Sequence, residues 1–146
     1  MAMISIRSGI LAATTGVIGV LFGMSGATLS GTAVASGAGH SHVVFSDPLP
    51  NVPGKMLTAV EVDYAPGDAS PPHRHAGSVF AYVVSGEIRS ENSVTGPARV
   101  YHAGEGFFEP PGSVHLVSAN ASTSAPAKLL AVFVADEGAT LTTPAK

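Results

Sequence analysis

Residues 73–87 read HRHAGSVFAYVVSGE, a pair of histidines followed by an apolar run. His73 and His75 flank Arg74, and residues two apart in an extended segment point to the same face, about 6.6 Å apart along the strand. Both imidazoles can therefore turn toward one cation at the usual metal–nitrogen distance of about 2.0–2.1 Å, while Arg74 points to solvent. Residues 79–84 then form a strand that ends at Ser85-Gly86.

A second stretch, residues 107–122 with the sequence FFEPPGSVHLVSANAS, supplies a third histidine. His115 follows the turn sequence Pro110-Pro111-Gly112, which can aim the next strand into the same site. Glu109 directly precedes this turn beside two phenylalanines, in a chain with few charges. We expect Glu109 to be an additional metal ligand or a general base, and the alternative is an exposed acid at a strand end.

The remainder of the chain after residue 36 is typical of an all-β domain. Apolar residues in this part do not recur at helical spacing over more than one turn, and short β-type runs alternate with Pro- and Gly-containing breakers. This pattern indicates a β-sandwich or barrel. The predicted strands are residues 43–46, 56–64, 79–84, 87–93, 98–102, 106–109, 114–118 and 128–135. The last run is almost continuously apolar, which predicts a strand buried on both faces.

Two motifs resemble the conserved motifs of the cupin superfamily. The first is Gly67-x5-His73-x-His75 followed by Gly86, and the second is Gly104-x5-Pro110-x-Gly112-x2-His115. Residues 60–134 are similar to small bacterial single-domain cupins of type 2. The resemblance implies a double-stranded β-helix, or jelly-roll barrel, in which His73, His75 and His115 bind one divalent transition metal. Copper, zinc, iron and manganese all remain open, and no organic cofactor is expected.

Two positions depart from the cupin motifs. The glutamate ligand of the first motif corresponds to Val79, and Ala119, followed by Asn120, stands at the terminal asparagine of the second. A three-histidine site is sufficient for catalysis, because three neutral imidazoles leave coordination positions open. Alternatively Glu109 fills the missing position, or the barrel holds no metal. We predict a metal-dependent, dioxygenase-like oxidoreductase acting on a small molecule, with a non-catalytic binding module as the alternative.

Composition and the N-terminal segment limit the remaining classes. The 146 residues carry 12% charged side chains, a net charge of −3 and no cysteine, which argues against a nucleic-acid partner and excludes thiol chemistry. Residues 1–35 are typical of a signal peptide, with Arg7 before an uncharged apolar run and Ala33-Val34-Ala35 as a cleavage pattern. We expect cleavage after Ala35 and a secreted or periplasmic protein free of the membrane, and a retained N-terminal membrane anchor is the alternative.

The mature chain divides into three predicted parts. Residues 36–54 form a flexible lead-in, which extends to His42, followed by a first edge strand. Residues 55–136 form the barrel, and residues 137–146 form a C-terminal tail. His40 and His42 make a second His-x-His pair, interpreted as part of the polar lead-in. A small-molecule ligand is the expected partner, and the cupin resemblance implies a homodimer.

Overall fold

The structure is a computed structural model that describes residues 39–146, so the predicted leader of residues 1–35 lies outside the described residues. The described part confirms the all-β prediction. Its strands are β1 His40–Pro48, β2 Lys55–Tyr64, β3 Ala69–Ser70, β4 His73–His75, β5 Ser78–Ser85, β6 Glu87–Asn92, β7 Gly96–His102, β8 Gly106–Glu109, β9 Val114–Asn120, β10 Ala127–Asp136 and β11 Thr142–Pro144. Within residues 39–146, no helix has the length and apolar character needed to cross a membrane.

The strands form two antiparallel sheets. Sheet A has the order β1-β2-β10-β5-β8, and sheet B has the order β11-β4-β9-β6-β7, with β3 paired to β9. Apart from the consecutive pairs β1–β2 and β6–β7, neighbouring strands in each sheet come from distant parts of the sequence, as expected for a jelly-roll barrel. This topology places β4 and β9, which carry the three candidate histidines, side by side in sheet B.

The two ends of the described chain are more ordered than the sequence predicted. Strand β1 begins at His40, inside the predicted flexible lead-in, because its backbone pairs with β2 from His40 opposite Asp63 onward. The predicted C-terminal tail contains β11, which pairs with β4 by placing Thr142 opposite His75. Both segments have polar or small side chains, so their pairing depends on backbone hydrogen bonds that local patterning does not reveal.

The core fills the space between the sheets. Alternate residues of β10, from Ala127 through Phe133 to Ala135, are buried against the inner face of the barrel. The larger cluster of buried residues contains Tyr64, Ala81, Val83, Ile88, Phe107, Ala127 and Leu129, and the smaller one contains Val79, Ala131 and Phe133. These inward side chains leave a cavity at one end of the barrel, where the histidines lie.

The outer face of sheet A carries a row of exposed apolar side chains beside the charged Glu61, Asp63 and Lys128, which corrects the prediction that residues 128–135 are buried on both faces. The outward residues of β10 are only partly buried. One cross-strand row runs in register over all five strands, and it consists of Phe45, Ala59, Val132, Phe80 and Phe108. The three phenylalanines of this row are each about half exposed, at 49–50%. The continuous apolar run in β10 therefore reflects one face in the core and one apolar face at the surface.

Candidate metal centre

Strand register brings the three histidines together. His73 in β4 lies directly opposite His115 in β9, and His75 lies two residues further along the same face of β4. Each of the three offers a nitrogen, and these nitrogens all lie within 4.8 Å of one another. The Nε2 atoms of His73 and His75 are 3.1 Å apart. The convergence predicted from the sequence is therefore present in the fold.

A β-bulge in β9 lets His115 face the cavity together with Ser118. Residues three apart in a regular strand point to opposite faces. In β9, however, neighbouring residues of β6 pair with Val117 and with His115, so Leu116 is the extra residue of the bulge. Leu116 is exposed, whereas His115 and Ser118 are both buried. The sequence contains no clear signal for this bulge.

Hydrogen bonds orient the rings of His73 and His75. The Nδ1 atom of His73 lies 2.7 Å from the carbonyl oxygen of Pro71. The Nδ1 atom of His75 lies 3.1 Å from the hydroxyl of Thr142 and 3.3 Å from the carbonyl oxygen of Leu141. Carbonyl oxygens only accept hydrogen bonds, so these contacts place the ring proton on Nδ1 and leave the Nε2 lone pairs facing each other. This is the tautomer that a metal-binding histidine uses when Nε2 is the ligand.

His115 carries a buried nitrogen without a hydrogen-bond partner. Its Nε2 atom is 2.8 Å from the hydroxyl of Ser90. Its Nδ1 atom lies 3.2 Å from a carboxylate oxygen of Glu109, but the geometry is not that of a hydrogen bond, and no other partner is found among residues 39–146. Buried polar atoms normally have a partner, and exceptions require an explanation. The facing Nε2 lone pairs of His73 and His75, together with the unpartnered Nδ1 atom of His115, fit the binding of one shared cation.

Burial keeps two of the rings neutral. Desolvation, followed by the charge of His73, lowers the pKa of His75 to about 4. Desolvation, followed by the charges of His73 and His75, lowers the pKa of His115 to about 3. Neutral imidazole is the form that binds metals, so protons do not compete for these two rings near neutral pH.

Glu109 reaches the cluster from the neighbouring strand. Val79, at the position of the motif glutamate, pairs directly with Glu109 of β8. The Glu109 carboxylate lies 3.8 Å from Nε2 of His75 and 3.2 Å from Nδ1 of His115, and the residue is 3% exposed. The alternative of an exposed strand-end acid is therefore wrong, because pairing of β8 with β5 turns this side chain into the barrel.

The surroundings of Glu109 favour its protonated form. Burial raises the pKa of Glu109 to about 7, although a 3.4 Å hydrogen bond donated by Asn92 acts in the opposite direction. The same Asn92 amide donates a 2.8 Å hydrogen bond to the hydroxyl of Ser113. A carboxyl group with a pKa near neutrality can both release and accept a proton at physiological pH, which suits acid–base catalysis.

The histidines and Glu109 line a cavity of about 510 Å³. Apolar side chains from β2 and β10 form one wall, and Phe133 packs edge-on against His75 with ring centroids 5.1 Å apart. Leu141 and Thr142 of the C-terminal strand form part of the rim. A cavity with apolar walls and a few convergent polar groups is the usual form of a small-molecule site.

Other residues that the sequence singles out take no part in the three-histidine cluster. The side chain of Asn120 holds a loop by donating to the carbonyl oxygens of Ala65 and Ala125. On the outer face of sheet A, His42 lies near Glu61 and Asp63 in a second group of potential ligands. Lys128 forms ion pairs with both carboxylates of that group, so it already neutralises much of their charge.

Sequence reasoning missed the residues that orient the histidines. Thr142 in β11 and Ser90 in β6 contact His75 and His115, Asn92 in β6 contacts Glu109, and none of the three belongs to a motif. The sequence gives little indication that these polar residues contact the site, because their positions can be assigned only when the strand register is known. Ser90 and Asn92 are two apart and both buried, which is the one local hint that β6 presents polar groups to the interior.

The comparisons with known proteins agree with this fold. A profile of the cupin domain family matches residues 60–133, and the chain belongs to this family. A Klebsiella pneumoniae protein with a double-stranded β-helix domain superposes with a TM-score of 0.59 at 24% identity, over 77% of this chain and 88% of its own. A search of curated protein sequences found no match.

Two enzymes share the fold at lower identity. DMSP lyase from Ruegeria pomeroyi superposes with a TM-score of 0.57 at 17% identity, covering 73% of this chain and 51% of its own. Oxalate decarboxylase from Bacillus subtilis, described with Mn(II) centres, gives a TM-score of 0.57 at 23% identity, covering 76% of this chain and 29% of its own. The chain thus spans about half or less of the length of these two enzymes, and at these identities the likeness concerns the fold.

Proposed function

We propose that the protein is an exported metallo-cupin enzyme in which His73, His75 and His115 hold one divalent transition metal beside Glu109. The observation that carries the proposal is the orphaned Nδ1 atom of buried His115, next to two histidines whose Nε2 atoms are 3.1 Å apart. The fold likeness to an enzyme described with Mn(II) centres supports a metal. Export rests on the N-terminal sequence alone, with residues 1–35 as a cleaved leader.

The bound metal would supply a Lewis acid, or a redox-active centre, with coordination positions open to a small molecule. Dioxygenase-like oxidoreductase chemistry is our first choice of reaction class. The buried carboxyl of Glu109 would hold or release a proton at the oxygen that faces His115, and Asn92 would keep that carboxyl in place. For an exported protein the intrinsic affinities of imidazole sites favour copper and zinc over iron and manganese.

The test is the metal content of the purified protein after equilibrium dialysis against zinc, copper, iron or manganese. The wild type is expected to retain about one equivalent of at least one metal. The His115→Ala variant is expected to retain less than about a tenth, while His102→Ala, on an exposed part of β7, serves as the matched control and should bind as the wild type does. Retention below about a tenth of an equivalent by the wild type for every metal would contradict the proposal.

A non-catalytic binding module is the second candidate. Val79, fully buried at the position of the motif glutamate, is the observation that favours it, because the site then lacks the usual carboxylate from that strand. In this case a small ligand would stabilise the protein against heat after chelator treatment, and His115→Ala would leave that stabilisation unchanged. A metal-dependent enzyme predicts loss of the effect under both treatments.

We also propose that two copies pair through the outer face of sheet A. Its apolar row spans five strands, and with about 4.8 Å between strands and about seven residues of strand length, the face covers roughly 550 Å². Two such faces would bury about 1,100 Å² in total, which exceeds the roughly 1,000 Å² expected of a specific interface. A single self-complementary face of this kind suits a two-fold contact between identical copies.

Sedimentation velocity tests this pairing. The wild type should sediment as a dimer at micromolar concentration, and Phe80→Glu in the fourth strand of the row should give a monomer with unchanged circular dichroism. Val94→Glu, at an exposed site in the turn between β6 and β7, is the matched control and should remain a dimer. A monomeric wild type would contradict the proposal.

A further inference from the structure

Three hydroxyl groups meet inside the cavity, away from the histidines. The hydroxyl of Tyr64 in β2 lies 2.8 Å from that of Ser118 in β9 and 3.1 Å from that of Ser70 in β3. We refer to these three residues as the hydroxyl cluster. All of them line the cavity, and Tyr64 and Ser118 are each only 3% exposed. The cluster therefore presents polar atoms to a largely apolar space.

The cluster has hydrogen-bonding capacity left for a ligand. Each hydroxyl has one hydrogen to donate and two lone pairs to accept with. The two hydrogen bonds within the cluster use two of the three hydrogens and two lone pairs. One hydroxyl hydrogen and several lone pairs therefore remain, and they can bind a ligand oxygen that both accepts and donates a hydrogen bond. Hydroxyl groups left without partners in a buried site are unfavourable, which favours such a ligand.

Apolar side chains line the part of the cavity between the hydroxyl cluster and the histidines. On sheet A, the inward pairs Val62–Leu129 and Val60–Ala131 lie between the Tyr64 row and the Phe133 row. On sheet B, Leu116 is the extra residue of a bulge, so Ser118 lies only about two regular strand positions from His115. The distance between these two residues along β9 is therefore about 7 Å. The cavity is thus polar at two ends and apolar along the middle.

The charges of the barrel lie elsewhere. Most lysine and arginine side chains between residues 39 and 146 have partners on the outer surface: Lys55 pairs with Asp136, Lys128 with Glu61 and Asp63, Arg99 with Glu105, and Arg74 donates to the carbonyl oxygen of Gly112. Apart from Tyr64 itself, the ionisable groups on the cavity wall are histidines and Glu109. An anionic ligand group at the hydroxyl cluster would lose its hydration among neutral hydroxyls and apolar side chains, which is strongly unfavourable.

We propose that the hydroxyl cluster is a second binding subsite of this cavity and that its ligand is a small molecule with two oxygen functions about 7 Å apart, of which the one at the cluster is uncharged. One oxygen, a hydroxyl or carbonyl, binds Tyr64, Ser70 and Ser118. The apolar middle of the ligand lies along Val62 and Leu129, and the other oxygen reaches the histidines. The inference rests on the proposed function, since it identifies the class of substrate for the same site.

The test compares two probes that differ in charge at the cluster end. Isothermal titration calorimetry on the zinc-dialysed protein measures the binding of 4-hydroxybenzoate and of terephthalate at pH 7. Both offer a carboxylate to the zinc, but terephthalate must place its second carboxylate at the cluster, so 4-hydroxybenzoate should bind at least tenfold more tightly. Ser118→Ala should weaken binding of 4-hydroxybenzoate about fivefold, as expected for loss of one neutral hydrogen bond. Ser70→Ala should act in the same direction, and Ser124→Ala on the exposed loop should have no effect.

The outcomes separate this inference from the proposed function. Equal or tighter binding of terephthalate would overturn the inference, and so would unchanged binding of 4-hydroxybenzoate by folded Ser118→Ala and Ser70→Ala, since the cluster would then only join the two sheets. Zinc content is measured on the same samples. Retained zinc with either of these results refutes the subsite alone. Binding of 4-hydroxybenzoate that depends on Ser118 in a protein that retains no zinc refutes the metal centre and supports the subsite.

Discussion

The pH dependence of the stability of the metal-free protein tests the buried site, because the site contains groups whose pKa values are shifted by folding. The free energy of unfolding depends on pH wherever the folded and unfolded states bind different numbers of protons. Burial lowers the pKa of His75 to about 4 and that of His115 to about 3, and it raises the pKa of Glu109 to about 7. The two histidines and the carboxyl therefore act in opposite directions over the same range of pH.

The expected slope follows from the signs. Between pH 6.5 and about 4.5, each histidine is neutral in the folded state and becomes protonated on unfolding, so acidification lowers stability. Over the same range Glu109 keeps a proton in the folded state that the unfolded chain releases, so acidification raises stability. On unfolding, the two histidines take up two protons and Glu109 releases one, so unfolding takes up about one net proton. The free energy of unfolding therefore falls by about 1 kcal/mol for each pH unit of acidification.

The Glu109→Gln variant removes the opposing group and isolates the effect. Its stability should fall about twice as steeply between pH 6.5 and 4.5 as that of the wild type, because the two histidines then titrate unopposed. Urea unfolding of chelator-treated protein at half-unit steps of pH measures both slopes, and Ser124→Ala serves as the mutational control. Contributions of groups common to both proteins cancel in the difference. Parallel slopes for wild type and Glu109→Gln would refute the buried arrangement of Glu109 among the histidines.

Three further predictions concern the turn, the C-terminal strand and the leader. Gly77 has φ of 79°, and a Cβ atom there would overlap the carbonyl oxygen of Val134, so Gly77→Ala should destabilise by at least about 2 kcal/mol in urea unfolding. Gly112→Ala, with a similar φ of 78° and open space around it, should lose only about 1 kcal/mol, and equal losses would contradict this explanation. Thr142→Val should weaken zinc affinity about tenfold by releasing His75, while Thr143→Val on the same strand should not, as judged by competition with a chelator. N-terminal sequencing of protein from the cell envelope or medium should begin at residue 36, and a start at Met1 would favour the retained anchor.

The sequence predicted eight of the eleven strands and the grouping of the three histidines, because both depend largely on local patterning. Alternation in residues 56–64 identified β2, and the His-x-His pair placed two imidazoles on one face of β4. His115 was predicted from its position after a turn, and its pairing opposite His73 follows from the order of strands in the barrel. Short-range periodicity carries this information directly.

The remaining features depend on register between distant strands. Glu109 occupies the site because β8 pairs with β5, which sets Glu109 opposite Val79, thirty residues earlier in the sequence. The bulge at Leu116 turns Ser118 inward, and Thr142 reaches His75 only because β11 adds to the edge of sheet B. A register shift of one residue would reverse each of these side chains, and nothing local in the sequence specifies that register.

Anomalous diffraction from crystals of the zinc-loaded protein tests the three-histidine centre most directly. We predict a single strong peak inside the barrel, about 2.0–2.1 Å from one ring nitrogen of each of His73, His75 and His115. A peak only at His42, Glu61 and Asp63 on the outer face, or no peak within bonding distance of the three histidines, would contradict it.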